Sequence, residues 1–360
     1  NNMINKEVVP SKVEFCWGLP VIPTPQTKEL LEEYVNQAKR AEKNNFDSVL
    51  VSIAPTSVDP MIAASMIGMN TEFVKILVAQ NTNQMLPTVT AKALNTLNSL
   101  IGNRADINIV TGSASLVLAR DGLPEPHHVR YARTKEYIEL LQQLRRGVTS
   151  YKGEFYQVEN SDIYPKEDLS RSARYFVAGS SEEAMRVAAE YGDAYILYAT
   201  DRKSLREHYQ TVNNYAKQYG REKIPGAILV DIIARETSEE AYKEAYELLE
   251  RTPAALKRMT KLFLDNADSV GLRRYKDLIT KDSMWIDDHL WGGLSLVNPS
   301  NSISIVGSYE EVISTLTDFW EIGANYFLIT SQISEHEIER IGQNVVQPFK
   351  KKIEKLIQVN

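Results

Sequence analysis

Short apolar runs alternate with long helical patterns along the whole chain, and this alternation constrains the fold more than any other feature. The runs lie at 13–18, 47–53, 74–79, 106–111, 174–178, 194–198, 227–234 and 326–330, and they are rich in Val, Ile and Leu. Strands that are apolar throughout are buried on both faces, the condition of a parallel sheet covered by helices. Helical patterns fill 27–44, 87–100, 130–146, 181–191, 202–219, 238–264, 308–322 and 335–357. In the first, Leu30, Leu31, Tyr34, Val35, Ala38 and Ala41 form one stripe. Pro87 suits a first helical position, and Ser181, Ser238 and Ser308 each precede acidic residues, as N-caps do. Eight strand–helix repeats predict an α/β fold closed into a TIM (β/α)8 barrel. A doubly wound open sheet uses fewer strands and a Gly-rich first turn, and neither G-x-G-x-x-G nor G-x-x-x-x-G-K-[ST] occurs.

A chain of 360 residues suits one decorated barrel. We expect a flexible segment at 1–12 and a single domain over 13–360. Insertions at 112–129, 148–172 and 265–304 interrupt the repeat, placing extra chain after strands four and seven. The third carries Lys261, Arg273, Arg274, Lys276 and Lys281 in or near it, with Trp285 and Trp291, and reads either as a lid over the site or as a surface loop. A net charge of −6 with scattered basic residues argues against nucleic acid, and Lys350-Lys351-Lys352 reads as a solvated helix face. One cysteine, Cys16, excludes an internal disulfide and fits the cytoplasm. No apolar run reaches the roughly 18 residues of a membrane span, and no signal-peptide pattern opens the chain. The Asn-Asn start fits either a processed chain or a domain cut from a longer polypeptide.

Three segments stand out for chemistry. Polar Asn108 interrupts an apolar strand, and Thr111-Gly112-Ser113 ends it with side chains small enough for a flat ligand to approach backbone N–H groups. His127 and Tyr131 are four apart, so on a helix they share a face, either presenting two donors to an anion or capping the helix start. Gly179-Ser180-Ser181 joins a strand to a helix, which makes either an anion cradle or a plain Ser cap. Histidines at 127, 128, 208, 289 and 336 lack metal-ligand spacing, and no G-x-S-x-G elbow occurs. A barrel with a phosphate cradle and no evident nucleophile or metal points to an organic phosphate cofactor.

These segments, in this order, resemble the bacterial-luciferase superfamily of flavin-dependent monooxygenases, nearest its alkanesulfonate branch. The resemblance spans roughly residues 13–350. It is carried by Trp17-Gly18-Leu19-Pro20, Ile62-Ala63-Ala64-Ser65-Met66, Pro87-Thr88-Val89, Gly102-Asn103-Arg104 and the three segments above, then by Arg235-Glu236-Thr237, Ala267-Asp268-Ser269-Val270-Gly271 and Trp291-Gly292-Gly293. It implies reduced FMN supplied by a separate flavin reductase, O2 as co-substrate, oxygenation through a C4a-peroxyflavin, and a homodimer through the early barrel helices. By the same analogy Tyr131, His127, Gly179, Ser180 and Ser181 hold the phosphate, and Asn108 and Thr111 line the ribityl chain and ring. Trp17, Gln80, Tyr198, Trp291 and Asn298 are expected on the substrate side.

The substrate end departs from that pattern. The branch's strand-seven Arg and His positions hold Leu229 and Asp231, its later Arg position holds Asn298, and its Tyr and His after strand eight become Gln332 and Ser334. A Cys of the branch aligns near Ser57, which we take with Asp231 as a candidate catalytic residue. A sulfonate needs cationic fork-like donors, so desulfonation is not expected. Asp231 should face the cavity, because Val230 and Ile232 would face outward. It reads either as a base or amine-binding group or as a hydrogen-bonded structural Asp. The chain also looks similar to oxygenase domains of polyketide and nonribosomal peptide assembly lines, which implies an acyl carrier protein as partner and Baeyer–Villiger or N-oxygenation. A stand-alone monooxygenase of a small sulfur or carbon compound, a deazaflavin-dependent oxidoreductase and a non-catalytic flavoprotein are the alternatives.

Overall fold

The computed structural model describes residues 12–112, 115–254, 256–258, 284–298 and 303–359. Eight parallel strands close into a barrel: β1 (Glu14–Gly18), β2 (Ser48–Val51), β3 (Lys75–Asn81), β4 (Ala105–Val110), β7 (Tyr175–Ala178), β8 (Ala194–Tyr198), β9 (Gly226–Arg235) and β13 (Ala324–Thr330), which returns to β1. The remaining strands are short additions: β5 (Thr149–Lys152) and β6 (Gln157–Ser161) form an antiparallel hairpin, and β10 (Trp285–Asp287) and β11 (Leu290–Trp291) form another that leads to β12 (Ser304–Ser308). The helices are α1 (Thr27–Lys43), α2 (Pro60–Met69), α3 (Pro87–Ile101), α4 (Ser115–Arg120), α5 (His127–Arg146), α6 (Glu182–Tyr191), α7 (Arg202–Gln218), α8 (Ser238–Arg251), α9 (Tyr309–Ile322), α10 (Glu337–Ile341) and α11 (Gln347–Val359).

Strand alternation splits the core in two. Cys16, Leu50, Leu77, Phe176, Ile196, Ala227 and Leu328 point inward and fill the barrel. Their neighbours Phe15, Val49, Ile76, Val177, Tyr195, Ile228 and Phe327 point outward, under the helices. Side chains two apart on a strand share a face, so this parity also decides which residues near the strand ends can look into the barrel mouth. The N-terminal end is closed by Arg174, which donates to Glu14 Oε2 at 2.8 Å and to Asp106 Oδ2 at 2.9 Å. Chemistry is left to the opposite end, as in other barrels.

Several expectations need correction. Helix α2 carries no polar stripe and was not predicted. The helix expected at 238–264 ends at Arg251 as α8, and its cap is Thr237, whose hydroxyl accepts from Glu240 N; Ser238 instead hydrogen-bonds Glu311. Ser181 and Ser308 do cap their helices, Ser308 with a reciprocal capping box to Glu311. The terminal helix expected at 335–357 runs from Glu337 to Val359 with one wide π turn inside it at Gly342–Val346. Segment 1–11, Ser113, most of the expected lid (265–283 and 299–302), Lys261 and the Ala267–Gly271 motif lie outside the described residues. Among the described residues no helix is long and apolar enough to cross a membrane.

Candidate active site

Strand β4 delivers the first polar group. Asn108 has the inward parity of Asp106, and its Oδ1 is buried without a hydrogen-bond partner. Just past the strand end, Thr111 Oγ1 lies 2.8 Å from Thr134 Oγ1, which is 3.3 Å from Thr82 Oγ1. This hydroxyl chain fixes the end of β4 to α5 and β3. Gly112 then turns the backbone at φ +99°, where a Cβ would sit 2.8 Å from Leu118.

Helix α5 and the β7–α6 turn converge on the same place. His127 opens α5, and its ring centroid lies 4.8 Å from that of Tyr131, one turn on. Gly179 adopts φ +129°, and a Cβ there would stand 2.7 Å from Tyr131 Oη and 2.6 Å from Ala184 Cβ. The Gly179 carbonyl is held by Tyr195 Oη, which donates to it at 2.7 Å. Ser180 Oγ is buried with no partner, while Ser181 Oγ accepts from Ala184 N and caps α6. The first-turn N–H groups of α6 have no intrahelical acceptor, so they add partial positive charge at this point.

One cavity at the strand C-termini takes in some of these parts, while His127, Ser180 and Ser181 are not in its lining. Asn108, Thr111, Gly112, Tyr131, Gly179 and Tyr198 line it together. The sequence reading missed Asn81, Gln84, Asp121 and the 53–55 loop, which complete the lining. Asp121 is the only charged side chain in that lining among the described residues. Asn81 was legible in principle: it shares the inward parity of Leu77.

Other expected residues sit elsewhere. Gln80 has the opposite parity from Asn81, is 3% exposed, and donates through Nε2 to the Asn81 carbonyl. Trp17 points out of the barrel, where its Nε1 donates to Gln37 Oε1 at 3.0 Å and its ring meets Phe46 edge-on. Trp291 is 1% exposed and packs with Ile233, Leu294 and Val306 in a satellite core outside the barrel. Asn298 follows that core, its N–H donating to Leu294 O, and does not line the cavity. Ser57 lies on a second groove, beside Thr56 and Val58.

Asp231 has the inward parity of Ala227 but is wholly enclosed. It marks the point where β9 leaves β13 and takes up β12. Ser304 Oγ donates to Oδ1 at 2.7 Å and Thr330 Oγ1 to Oδ2 at 3.3 Å, so each oxygen is tied to a different strand. Burial pushes the carboxyl up to about 8, against the lowering effect of these two hydroxyls. Of the two readings of Asp231, base or amine-binding group and hydrogen-bonded structural Asp, the enclosure and the two hydroxyl partners fit the second, and Asp231 does not line the cavity.

The Ser180 hydroxyl, the Tyr131 phenol beside the Gly179 turn and the start of α6 are donors that fit a phosphate monoester, and the Asn108 amide oxygen is an acceptor for a polar chain attached to it. Among the described residues no group of His, Cys, Asp or Glu is placed to hold a metal ion.

Comparison with known proteins agrees with this geometry. The family model described as luciferase-like monooxygenase matches residues 17–326. EDTA monooxygenase from Chelativorans sp. BNC1 superposes with a TM-score of 0.76 at 18% identity, covering 95% of this chain and 94% of that one. The coenzyme F420-dependent tetrahydromethanopterin reductase of Methanopyrus kandleri gives 0.70 at 18% identity, covering 94% and 100%. The oxygenating constituent of 3,6-diketocamphane monooxygenase from Pseudomonas putida, solved in complex with FMN, gives 0.69 at 15% identity, covering 93% and 98%. With the closed barrel and the cradle at its mouth, the match over most of the chain settles the family: this chain belongs to the luciferase-like monooxygenases.

Proposed function

We propose that this enzyme takes reduced FMN from a separate flavin reductase and, with O2, oxygenates an uncharged or cationic organic substrate. The observation that carries the reading is the Ser180 hydroxyl, buried without a partner next to Gly179, whose own turn stands against the Tyr131 phenol. An unsatisfied buried hydroxyl costs ~1–3 kcal/mol, which a phosphate oxygen would relieve. When bound, the reduced flavin supplies the activation of O2. Ser180, Tyr131, His127 and the first-turn N–H groups of α6 hold the phosphate. Asn108 Oδ1 accepts from a ribityl or ring donor, and the Thr82–Thr134–Thr111 chain keeps β4 in place. Asn81 and Tyr198 are the further polar groups offered to ring or substrate. Asp121 in the lining and Leu229 on β9 both disfavour an anionic substrate. In its narrower form the proposal takes the substrate to be an acyl or aminoacyl intermediate tethered to a carrier protein, oxygenated by Baeyer–Villiger insertion or at nitrogen.

The test compares FMN with coenzyme F420 by fluorescence titration, in the wild type and in Ser180→Ala. We expect FMN to bind more tightly than F420. We expect Ser180→Ala to weaken FMN by ~10–100-fold, the equivalent of a charge-assisted hydrogen bond. Its melting temperature should stay level or rise, because an orphaned hydroxyl is gone. Equal FMN affinity in both proteins would remove the cradle from the reading. With reductase and NADH, substrate-dependent product carrying oxygen from O2 completes the test.

A homodimer belongs to the same proposal. Helix α2, PMIAASMIGM, has no charged residue on any side. Its inner face buries Ala63, Ala64 and Ile67, yet Met69 on the other face is 60% exposed, followed by Phe73 at 63%. A helix apolar all round is one covered all round, and a second copy would cover it across α2 and α3. Light scattering should give a dimer for the wild type and a folded monomer for Met69→Glu. A dimeric Met69→Glu variant would place the interface elsewhere.

A further inference from the structure

A second groove, of about 310 Å³, opens at the same end of the barrel between the start of α1 and the start of α2. It shares a wall with the cofactor cavity. Residues 53–55 of the loop after β2 line the cavity, and residues 56–59 of the same loop line the groove. The switch of face occurs at a tight turn, where Ser57 N donates to Ala54 O at 3.1 Å. Ser57, expected at the reaction centre, is instead the pivot of this partition.

The groove's chemistry is specific. Its apolar lining is Ile22, Leu31, Val58, Ile62 and Ala63, and Thr24, Thr27, Thr56 and Ser57 are its hydroxyl-bearing residues, the Thr24 hydroxyl accepting from Gln26 N. Among the described residues no Lys or Arg lines it, and the one charge in the lining, Asp59, accepts from Ile62 N as the cap of α2. Ile22 and Ile62 are 45% and 67% exposed, so an occupant would cover apolar surface now in water. An anionic chain finds no counter-charge here. An uncharged chain finds apolar contacts and, among the same lining residues, hydroxyls able to bond amide or carbonyl groups.

The geometry points to this groove as the subsite for the uncharged, amide-bearing chain of an elongated substrate, chemistry of the pantetheine type, whose reactive end reaches the cofactor cavity past the 53–57 loop. The inference rests on the monooxygenase reading above and adds the class of chain that the enzyme selects.

The test uses the full-length protein without flavin, so that it does not depend on the cofactor. Octanoyl-pantetheine is titrated by calorimetry against the wild type, Ile22→Asp and Thr27→Trp, with octyl sulfate as an anionic chain of equal alkyl length. FMN affinity is measured on all three proteins. The expected result is a tenfold or greater loss of octanoyl-pantetheine affinity in both variants, unchanged FMN affinity, and weaker binding of octyl sulfate to the wild type. The inference is overturned by no octanoyl-pantetheine binding to the wild type, by equal affinity in the variants, or by equal binding of octyl sulfate. A wild type that binds the chain but not FMN would sink the monooxygenase reading and leave the groove standing.

Discussion

Gly179→Val is expected to remove measurable FMN binding while leaving the barrel folded. Two costs combine at this position. The backbone sits at φ +129°, where a β-branched residue is strained by roughly 1–3 kcal/mol. The new Cβ would also meet Tyr131 Oη at 2.7 Å and Ala184 Cβ at 2.6 Å, so the phenol must move away from this turn. Each 1.4 kcal/mol is a factor of ten, so a loss of about a hundredfold or more follows if binding and strain compete. Gly102 supplies the control. It too has positive φ, at +68°, but no atom lies within 4 Å of where its Cβ would be. Gly102→Ala should lower stability by about 1 kcal/mol and leave FMN affinity unchanged. Fluorescence titration and circular dichroism of both variants decide the matter. FMN affinity within threefold of wild type in folded Gly179→Val would mean the phosphate does not sit at this turn.

The same comparison shows what the sequence could and could not reveal. The eight barrel strands were legible because burial on both faces leaves them apolar from end to end. Only their ends moved, as at 47–53, where pairing stops at Val51. Asn108 was legible because a lone amide in such a strand is costly unless it has work to do. Gly179 was legible because strand, glycine and capped helix follow without a spacer. Helix α2 escaped because periodicity needs contrast, and a segment apolar on every side has none. Trp17 and Gln80 were misplaced for a different reason. Polar and aromatic character says nothing about direction, and one residue along a strand reverses it. The inward set is Cys16, Leu77 and Asn81, not their neighbours. Trp291 was expected on the substrate side because it lies in the insertion that could be a lid and in a motif of the resemblance, whereas β10 and β12 pair on either side of it and it is buried in a satellite core.

Asp231 should make this protein lose stability as pH rises toward 8, and Asp231→Asn should abolish that loss. The folded carboxyl titrates at about 8 because it is fully buried, while in the unfolded chain its ordinary value is 3.8. Below pH ~4 both states hold the proton, and the contribution is fully present. Between pH ~4 and ~8 the unfolded chain has released the proton and the folded chain keeps it. Unfolding then releases a proton, and stability falls with rising pH at up to about 1.4 kcal/mol per unit. Above the folded value both states are ionised and the contribution is gone. Asparagine imitates the protonated acid, keeping an acceptor for the Ser304 hydroxyl and a donor beside Thr330. Urea denaturation from pH 5.5 to 8 should therefore show wild type declining by roughly 2–3 kcal/mol relative to Asp231→Asn. Asp231→Ala should be less stable than Asp231→Asn at every pH, by ~1–3 kcal/mol, because it strands the Ser304 and Thr330 hydroxyls at the junction of β9, β12 and β13. Turnover separates this role from catalysis. A carboxyl closed off by two hydroxyls and absent from the cavity lining has no path to a substrate proton, so Asp231→Asn should retain wild-type kcat once FMN is bound. Parallel pH profiles for wild type and Asp231→Asn would show that the carboxyl is ionised in the fold. A collapse of kcat in Asp231→Asn, with FMN affinity intact, would return the residue to the reaction as its base.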